Sequence, residues 1–231
     1  MRIAFLEDDP PQLELMQCWG EDAGHHCYGF MTGGALKDAL SNDTFDLLVI
    51  DWNLPDTTGI EIVRWVRDTI DWEIPVLFIT GRDLEEDVVT ALDAGADDYM
   101  TKPVQRTEVL ARLRALNRRA TIKAETEVVE AASPYEIDAA GRQIKLNGDV
   151  VQLTNKEYEL ALLLFHNVGR LLSRSYVMEK VWGTRVDLNT RTVDTHISRI
   201  RNKLGFRSES GWRLVSLYHH GYRLENIGQR P

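Results

Sequence analysis

Residues 45–51 read FDLLVID, a short apolar run that ends in the carboxylate of Asp51. The run from Leu47 to Ile50 leaves no face of a strand for water, which predicts a strand buried on both sides. Strands of this kind occur in parallel sheets that helices cover on both faces. The sequence around residue 50 therefore predicts an α/β sheet with Asp51 at the carboxyl end of one strand.

The segments around this strand alternate between short apolar runs and helical patterns. Strands are predicted at Arg2 to Leu6, His26 to Phe30, Phe45 to Ile50, Pro75 to Ile79 and Asp97 to Met100, and helices at 11–23, 34–41, 59–70, 84–94 and 105–118. Five β–α units in a row predict an α/β doubly wound, flavodoxin-like domain. In such a sheet ligands bind at the carboxyl ends of the strands.

The residues that follow these strands form a chemically coherent set. They are Glu7, Asp8, Asp51, Thr80 and Lys102. The carboxylates would repel one another unless a divalent cation lay among them, and oxygen ligands of this kind suit Mg²⁺. With that charge neutralised, Asp51 can attack a phosphorus centre, while Lys102 balances the transferred oxygens and the Thr80 hydroxyl donates to one of them. The pattern predicts a phosphoryl-transfer site, the alternative being an acidic surface rim without chemistry.

The chain changes character after residue 119. Residues 120–134 show little periodicity and end in Ser-Pro, which predicts a linker. Further strands are predicted at Tyr135 to Ile137, Gln143 to Leu146 and Val150 to Leu153, helices from Thr154, at Ser173 to Trp182 and at Thr190 to Leu204, and a hairpin at about 212–225. Asn147-Gly148 is a two-residue hairpin signal, and Thr154-x-x-Glu157 is a capping box. This order predicts an α+β winged-helix domain in residues 135–227.

Charge is divided unequally between the two halves. Residues 1–120 carry 11 basic and 23 acidic side chains, and residues 121–231 carry 16 and 13, within a net charge of −9. The segment 185–223 has eight basic and three acidic residues, which is the electrostatic footprint of a partner with a phosphate backbone. No apolar run approaches the roughly 18 to 20 residues of a membrane helix, so we expect a cytoplasmic protein without a membrane partner.

The first half resembles the receiver domain of bacterial two-component systems. The resemblance covers residues 1 to about 119 and is carried by Glu7-Asp8-Asp9, Asp51-x-x-Leu54-Pro55-x-x-x-Gly59, Thr80, Gly95-Ala96-Asp97-Asp98-Tyr99 and Lys102-Pro103. It implies that Asp51 is the phosphoacceptor and that Mg²⁺ is held by Glu7, Asp8, Asp51 and the Asn53 carbonyl. It also implies that Thr80 and Tyr99 form a switch pair, and that a cis Lys102-Pro103 peptide places Lys102 in the site.

The resemblance further implies a homodimer. In OmpR/PhoB-like regulators the fourth helix, fifth strand and fifth helix form a face where acidic residues of one protomer meet basic residues of the other. The residues expected there are Asp97, Asp98, Glu108, Arg112 and Arg114. This chain has Val88 where the family usually has a basic residue, so we expect Glu108 to lack its customary partner.

The second half resembles the OmpR/PhoB output domain. The resemblance is carried by Leu153-Thr154-x-x-Glu157, Val181-Trp182-Gly183, the run from Arg191-Thr192-Val193-Asp194 to Lys203-Leu204, and Gly221-Tyr222-Arg223-Leu224. It implies a recognition helix in the major groove and a wing at the minor groove. The residues expected at DNA are Arg191, Thr192, Asp194, Thr195, His196, Arg199, Arg201, Tyr218, His219, His220 and Tyr222.

Individual roles follow from the polar face of the predicted recognition helix. Arg reads guanine and Thr contacts a thymine methyl group, so Arg199 and Thr195 are expected to contact bases. Arg191, His196 and Arg201 are better placed for phosphates. The wing has Tyr218-His219-His220-Gly221 where relatives commonly carry Arg-Gly-x-Gly, so either a histidine supplies the charge or the wing contributes less.

These features predict a phosphorylation-dependent transcriptional regulator rather than an enzyme. A sensor histidine kinase would phosphorylate Asp51 with Mg²⁺ as cofactor, and the resulting homodimer would bind double-stranded DNA, with RNA polymerase as a further candidate partner. One alternative uses the receiver as a phosphorylation-independent dimer scaffold for constitutive DNA binding. A second is a stand-alone aspartyl-phosphate phosphatase, against which the attached DNA-reading half and the absence of a second catalytic acid argue.

Overall fold

The computed structural model describes residues 1–70, 72–131, 134–183, 191–207, 211–217 and 220–228, with the backbone alone for 122–131. The chain divides into two compact units, Met1–Thr121 and Ile122–Pro231. Within the described ranges, every helix is too short or too polar to span a lipid bilayer.

The first unit is a parallel sheet wrapped by helices. Its elements are β1 (Arg2–Leu6), α1 (Pro10–Asp22), β2 (His26–Phe30), α2 (Gly33–Asn42), β3 (Leu47–Ile50), α3 (Gly59–Thr69), β4 (Val76–Thr80), α4 (Glu85–Asp93), β5 (Asp98–Thr101) and the first part of α5 (Arg106–Ala131), a helix that continues past Thr121. The five strands lie in the order β2-β1-β3-β4-β5, and each neighbouring pair is parallel. The predicted doubly wound fold is confirmed.

Helices cover both faces of this sheet, as the apolar strands require. On one face, Leu13 of α1 and Leu113 of α5 pack on the sheet, and on the other face Leu36 of α2, Val63 of α3 and Ala91 of α4 do so. Every residue of β1, β3 and β4 is buried. The central strands are therefore fixed in position, and their carboxyl ends form a rigid edge.

The second unit has the predicted winged-helix arrangement. Its elements are β6 (Tyr135–Asp138), β7 (Gln143–Leu146), β8 (Asp149–Val151), α6 (Asn155–Phe165), β9 (Leu172–Ser173), α7 (Arg174–Trp182), α8 (Arg191–Lys203), β10 (Trp212–Leu217) and β11 (Gly221–Asn226). Strands β6, β7 and β8 form one antiparallel sheet, and β10, β11 and β9 form another.

Local signals in the second unit act as predicted. Asn147 and Gly148 have φ of 53° and 88°, the left-handed conformations of a tight hairpin turn between β7 and β8. The Thr154 hydroxyl accepts from the Glu157 N–H, and the Glu157 carboxylate accepts from the Thr154 N–H, which completes the capping box of α6. A cluster of aromatic rings that includes Phe165 and Trp212 forms the core between the helices and the hairpin.

The fifth helix differs from the prediction. The sequence analysis ends it at residue 118 and assigns 120–134 to a linker, whereas α5 continues as helix to Ala131. The segment 120–131 is rich in Ala and Glu, which have high helix propensity, and contains neither Gly nor Pro. Its weak hydrophobic periodicity indicates a helix without an apolar stripe, which is compatible with a helical connection.

Candidate functional site

Three charged side chains from three different strands meet at the carboxyl edge of the first sheet. Lys102 Nζ lies 2.7 Å from Glu7 Oε2 and 2.8 Å from Asp51 Oδ2. Glu7 and Asp51 are 1% and 6% exposed. The peptide between Lys102 and Pro103 is cis, as the resemblance implies. One lysine therefore bridges two buried carboxylates.

The charges at this edge do not balance. Ligand atoms of Glu7, Asp8 and Asp51 all lie within 4.8 Å of one another. Burial raises the pKa of Glu7, the hydrogen bond from Lys102 opposes that rise, and the charge of Asp51 adds to it. Burial opposes protonation of Lys102, but its hydrogen bonds to Asp51 and Glu7 raise its pKa above the usual value. Three carboxylates beside one ammonium group form a donor set that fits Mg²⁺.

Backbone contacts in the loop after β3 fix the position of Asp51. Asp51 Oδ1 accepts from the Trp52 N–H at 2.5 Å, and the Trp52 carbonyl accepts from the Gly59 N–H at 2.8 Å. A Cβ at residue 59 would lie 2.2 Å from the Asp51 carbonyl oxygen, so only glycine fits at the start of α3. Asn53, two residues after Asp51 in the sequence, is exposed and pairs with Thr58 in an isolated bridge.

Thr80 and Tyr99, the predicted switch pair, both bond to Arg82. Thr80 is fully buried at the end of β4, and its Oγ1 accepts from the Arg82 N–H at 3.4 Å. The Tyr99 hydroxyl donates to the Arg82 carbonyl at 2.7 Å, and burial raises the pKa of Tyr99. The Tyr99 ring stacks on Phe78, 6.1 Å away. The loop between β4 and α4 therefore joins the two predicted switch residues.

The residues predicted for the dimer face fall into two groups. Arg112 Nη1 lies 2.9 Å from both Asp98 carboxylate oxygens, and its Nη2 lies 2.8 Å from Glu108, so these three form one cluster. Asp97 instead accepts from the Val76 N–H and from Arg67. Glu108 therefore pairs with Arg112 within its own chain, while the expectation that it lacks its customary partner at position 88 stays a prediction.

Arg114 does not join this cluster. It lies two residues beyond Arg112, which turns it about 200° around the α5 axis. It is exposed, and it contributes to the lowered pKa of His25, for which burial is the main cause. Arg114 therefore lies on a different side of α5 from Arg112.

In the second unit, α8 has the predicted two faces. Val193, Ile197 and Ile200 are buried, whereas Thr195 and Arg199 are exposed. The Thr195 hydroxyl donates to the Arg191 carbonyl, which leaves its methyl group and oxygen on the outer face. Thr195 and Arg199 therefore lie on the exposed face of α8, as the sequence predicts.

Several residues predicted at DNA make contacts within the second unit. Asp194 Oδ1 accepts from the Tyr222 hydroxyl and, at 3.1 Å, from Arg174 Nε. Arg201 Nη2 donates to the Leu214 carbonyl at 3.0 Å and to the Ser216 hydroxyl at 2.9 Å. These contacts join the recognition helix to the hairpin of β10 and β11.

The remaining predicted contacts lie at the borders of this face. His196 Nδ1 lies 2.9 Å from the Thr192 carbonyl, and its ring packs edge-on against Trp182 with 5.0 Å between centroids. The His220 N–H donates to the Leu217 carbonyl at the end of β10. Tyr218 and His219, predicted at the wing, lie outside the residues that the structure describes.

Comparison with known proteins agrees with both halves. Residues 3–114 match the response regulator receiver domain, and residues 148–224 match the transcriptional regulatory protein C-terminal domain. The response regulator protein PmrA of Pseudomonas aeruginosa is 39% identical over 210 residues, which cover 89% of this chain and 91% of PmrA. This chain belongs to the OmpR/PhoB family of response regulators.

A second relative agrees with this assignment, and a solved structure agrees with the fold of the first unit. The phosphate regulon transcriptional regulatory protein PhoB of Pseudomonas aeruginosa is 31% identical over 204 residues, covering 88% of this chain and 89% of PhoB. The signal receiver domain of a putative Luxo repressor protein from Vibrio parahaemolyticus superposes with a TM-score of 0.52 at 21% identity, over 55% of this chain and 96% of that domain. The latter likeness shows the fold alone. This response regulator is a two-component transcription regulator.

The sequence analysis missed two arginines at these sites. Arg82 follows Thr80 by two residues, and its position past a strand end was the one available signal. Arg174 begins α7 and lies 5.0 Å from the Tyr222 ring, but no sequence spacing links residues 174, 194 and 222. Contacts of this kind depend on strand and helix order and so become visible in the fold.

The Tyr222 contact generates a prediction for Tyr222→Phe. Burial and the hydrogen bond to Asp194 raise the pKa of Tyr222 from 10.0 to about 12. The neutral hydroxyl therefore stabilises the fold fully below pH 10, and this contribution disappears as pH rises through about 12. We expect Tyr222→Phe to lower the free energy of unfolding at neutral pH by about 1.5 to 3 kcal/mol, as measured by urea unfolding.

A tyrosinate absorbance titration checks the cause. The difference between wild-type and Tyr222→Phe curves should show one group with its midpoint near 12. A midpoint near 10, or equal unfolding free energies at neutral pH, contradicts the assigned role.

Proposed function

We propose that a sensor histidine kinase phosphorylates Asp51 and that this response regulator then dimerises and binds DNA. The observation that carries the proposal is the buried contact of Lys102 with Asp51 and Glu7. In this proposal residues 1–119 are the receiver, 120–134 connect it, and 135–227 bind DNA. Receiver domains generally bind Mg²⁺ at an acidic pocket, and here its ligands would be Glu7, Asp8, Asp51 and the Asn53 carbonyl.

The chemistry is an exchange of one bond to phosphorus for another. A carboxylate oxygen of Asp51 attacks the phosphorus of a phosphohistidine, the new O–P bond forms, and the N–P bond breaks with its electron pair returning to the imidazole. When bound, Mg²⁺ supplies positive charge to the phosphoryl oxygens. Lys102 Nζ, already 2.8 Å from Asp51, supplies the second positive charge, and the Thr80 hydroxyl donates to a phosphoryl oxygen.

The proposed dimer forms through the face that contains α4, β5 and α5. An open groove of about 500 Å³ lies beside the ionic cluster, and its lining includes Val88, Leu92 and Arg112. We place the dimer contact there, with Asp98, Glu108 and Arg112 at its polar border. A change at Thr80 and Tyr99 on phosphorylation would reach this face directly because Tyr99 lines the same groove.

In the second unit we assign base contacts to Arg199 and Thr195 and phosphate contacts to Arg191 and His196. Arg199 is exposed on α8, and a planar guanidinium can donate two hydrogen bonds to one guanine. The proposal leaves Arg201 as an anchor for the hairpin. Proteins with this arrangement bind paired half-sites when they dimerise.

Substitution of the phosphoacceptor tests the first step. Asp51→Asn removes the nucleophile but keeps the shape of the side chain, so we expect no gain of a phosphoryl group by intact-mass spectrometry after incubation with acetyl phosphate and Mg²⁺. Asp38→Asn, at an exposed position on α2, should be modified like the wild type. An unmodified wild type that still binds DNA would favour the constitutive scaffold, and rapid turnover of many equivalents would favour a phosphatase.

Substitution on α8 tests DNA reading. Arg199→Ala should weaken binding to a sequence selected from a random DNA pool by about 1 to 3 kcal/mol and relax preference at one base pair. Lys145→Ala removes the same charge from β7, far from the polar face of α8 in sequence, and serves as the control. Equal affinities for the two variants in a fluorescence anisotropy assay would contradict the assignment of Arg199.

A further inference from the structure

The backbone of Arg82 forms hydrogen bonds with both predicted switch residues, Thr80 and Tyr99. Its N–H donates to Thr80 Oγ1 at 3.4 Å, and its carbonyl accepts from the Tyr99 hydroxyl at 2.7 Å. The Thr80 oxygen is the acceptor in this contact. Its hydroxyl proton therefore remains available to donate to another group. The N–H and the carbonyl of Arg82 thus contact the hydroxyl groups of Thr80 and Tyr99, respectively.

The side chain of Arg82 ties this backbone to the phosphoacceptor loop. Its guanidinium carbon lies 4.7 Å from the centroid of the Trp52 ring. Trp52 directly follows Asp51 and donates its N–H to Asp51 Oδ1. The contact therefore joins the ends of the neighbouring strands β3 and β4 across the site.

The same guanidinium also reaches the fourth helix. Arg82 Nη1 lies 3.3 Å from Asp87 Oδ1, in the first turn of α4. The Leu84 side chain provides no N-cap hydrogen bond for this helix. The Arg82–Asp87 pair therefore links the loop to the start of α4 at a helix end that has no side-chain cap.

Trp52 gives the arginine a rigid surface. The indole is 8% exposed and packs edge-on against Phe78, with 5.6 Å between the ring centroids. A planar guanidinium over an aromatic face is attracted by the ring quadrupole and is already flat, so little conformational freedom is lost on stacking. The contacts with Trp52 and Asp87 restrict the Arg82 side chain and so limit the conformations open to the loop of residues 80–82.

We propose that Arg82 is a positioning residue for the phosphoryl group on Asp51: its stack on Trp52 and its pair with Asp87 preorganise the Thr80–Arg82 backbone and so orient Thr80 and Tyr99. The proposal rests on phosphorylation of Asp51. A preorganised loop loses less conformational entropy when the phosphoryl group binds than a flexible loop does. Loss of either side-chain contact should therefore weaken binding of a phosphoryl group.

The test uses the full chain with Mg²⁺ and beryllofluoride, which occupies the position of a phosphoryl group on an aspartate. Labelling with 5-fluorotryptophan gives a ¹⁹F signal for Trp52, assigned with Trp52→Phe, that reports the ring beside Asp51. We expect Arg82→Ala to raise the half-saturating beryllofluoride concentration about three- to tenfold and to shift the Trp52 signal in the free protein. Arg64→Ala removes an exposed arginine of α3 as the matched control and should change neither quantity.

Asp87→Asn decides between positioning and simple charge attraction. If Arg82 positions the loop, loss of the Asp87 carboxylate loosens it and raises the half-saturating concentration. If Arg82 acts by its charge alone, removal of the nearby negative charge lowers that concentration, and Arg82→Lys retains wild-type binding. Positioning predicts that Arg82→Lys stays weakened, because an ammonium group lacks the flat stacking surface.

The outcomes separate this inference from the proposed function. Wild-type protein that binds no beryllofluoride would overturn phosphorylation of Asp51 itself. Wild-type binding with an unchanged Arg82→Ala, or tighter binding by Asp87→Asn, would overturn the role of Arg82 and leave the phosphoacceptor assignment standing. Urea unfolding of Arg82→Ala should match that of Arg64→Ala, because both side chains are exposed.

Discussion

The candidate site of the first unit is organised by one buried ionic contact, in which Lys102 bridges Asp51 and Glu7. Removing three charged groups from water is costly unless they are paired with good geometry. The pairing requires the ends of β1, β3 and β5 to stay within a few ångströms, which the wholly buried central strands secure. In the proposed function, a rearrangement at Asp51 would therefore be passed to the more exposed loops and α4 rather than to these strands.

Some charged side chains form contacts within their own unit, and others are exposed. Asp97 binds Arg67, Asp194 binds Arg174 and Tyr222, and these contacts position β5 and α8. The outer face of α8, with Arg199, is exposed, and the proposed function assigns this face to DNA. The net charge of the whole chain hides this division because the acidic surplus lies in the first half.

Apolar patterning predicted most of the fold, since β1 and β2 begin and end where the runs do and the capping box of α6 forms as expected. The acidic cluster was also predictable, because the order of parallel strands brings their carboxyl ends together. Contacts between residues far apart in sequence were not. Helical spacing along α5 puts Arg112 and Arg114 on different sides, and the contact of Arg82 with Trp52 follows from the adjacency of β3 and β4.

The central claim is that the carboxylates at this edge exceed the charge that Lys102 balances. Isothermal titration of the full chain with Mg²⁺, without phosphodonor, tests it most directly. The account predicts one saturable site in the wild type and tighter binding in Lys102→Met, because the ammonium group no longer competes for Asp51 and Glu7. No saturable binding in the wild type, or weaker binding in Lys102→Met, would contradict it.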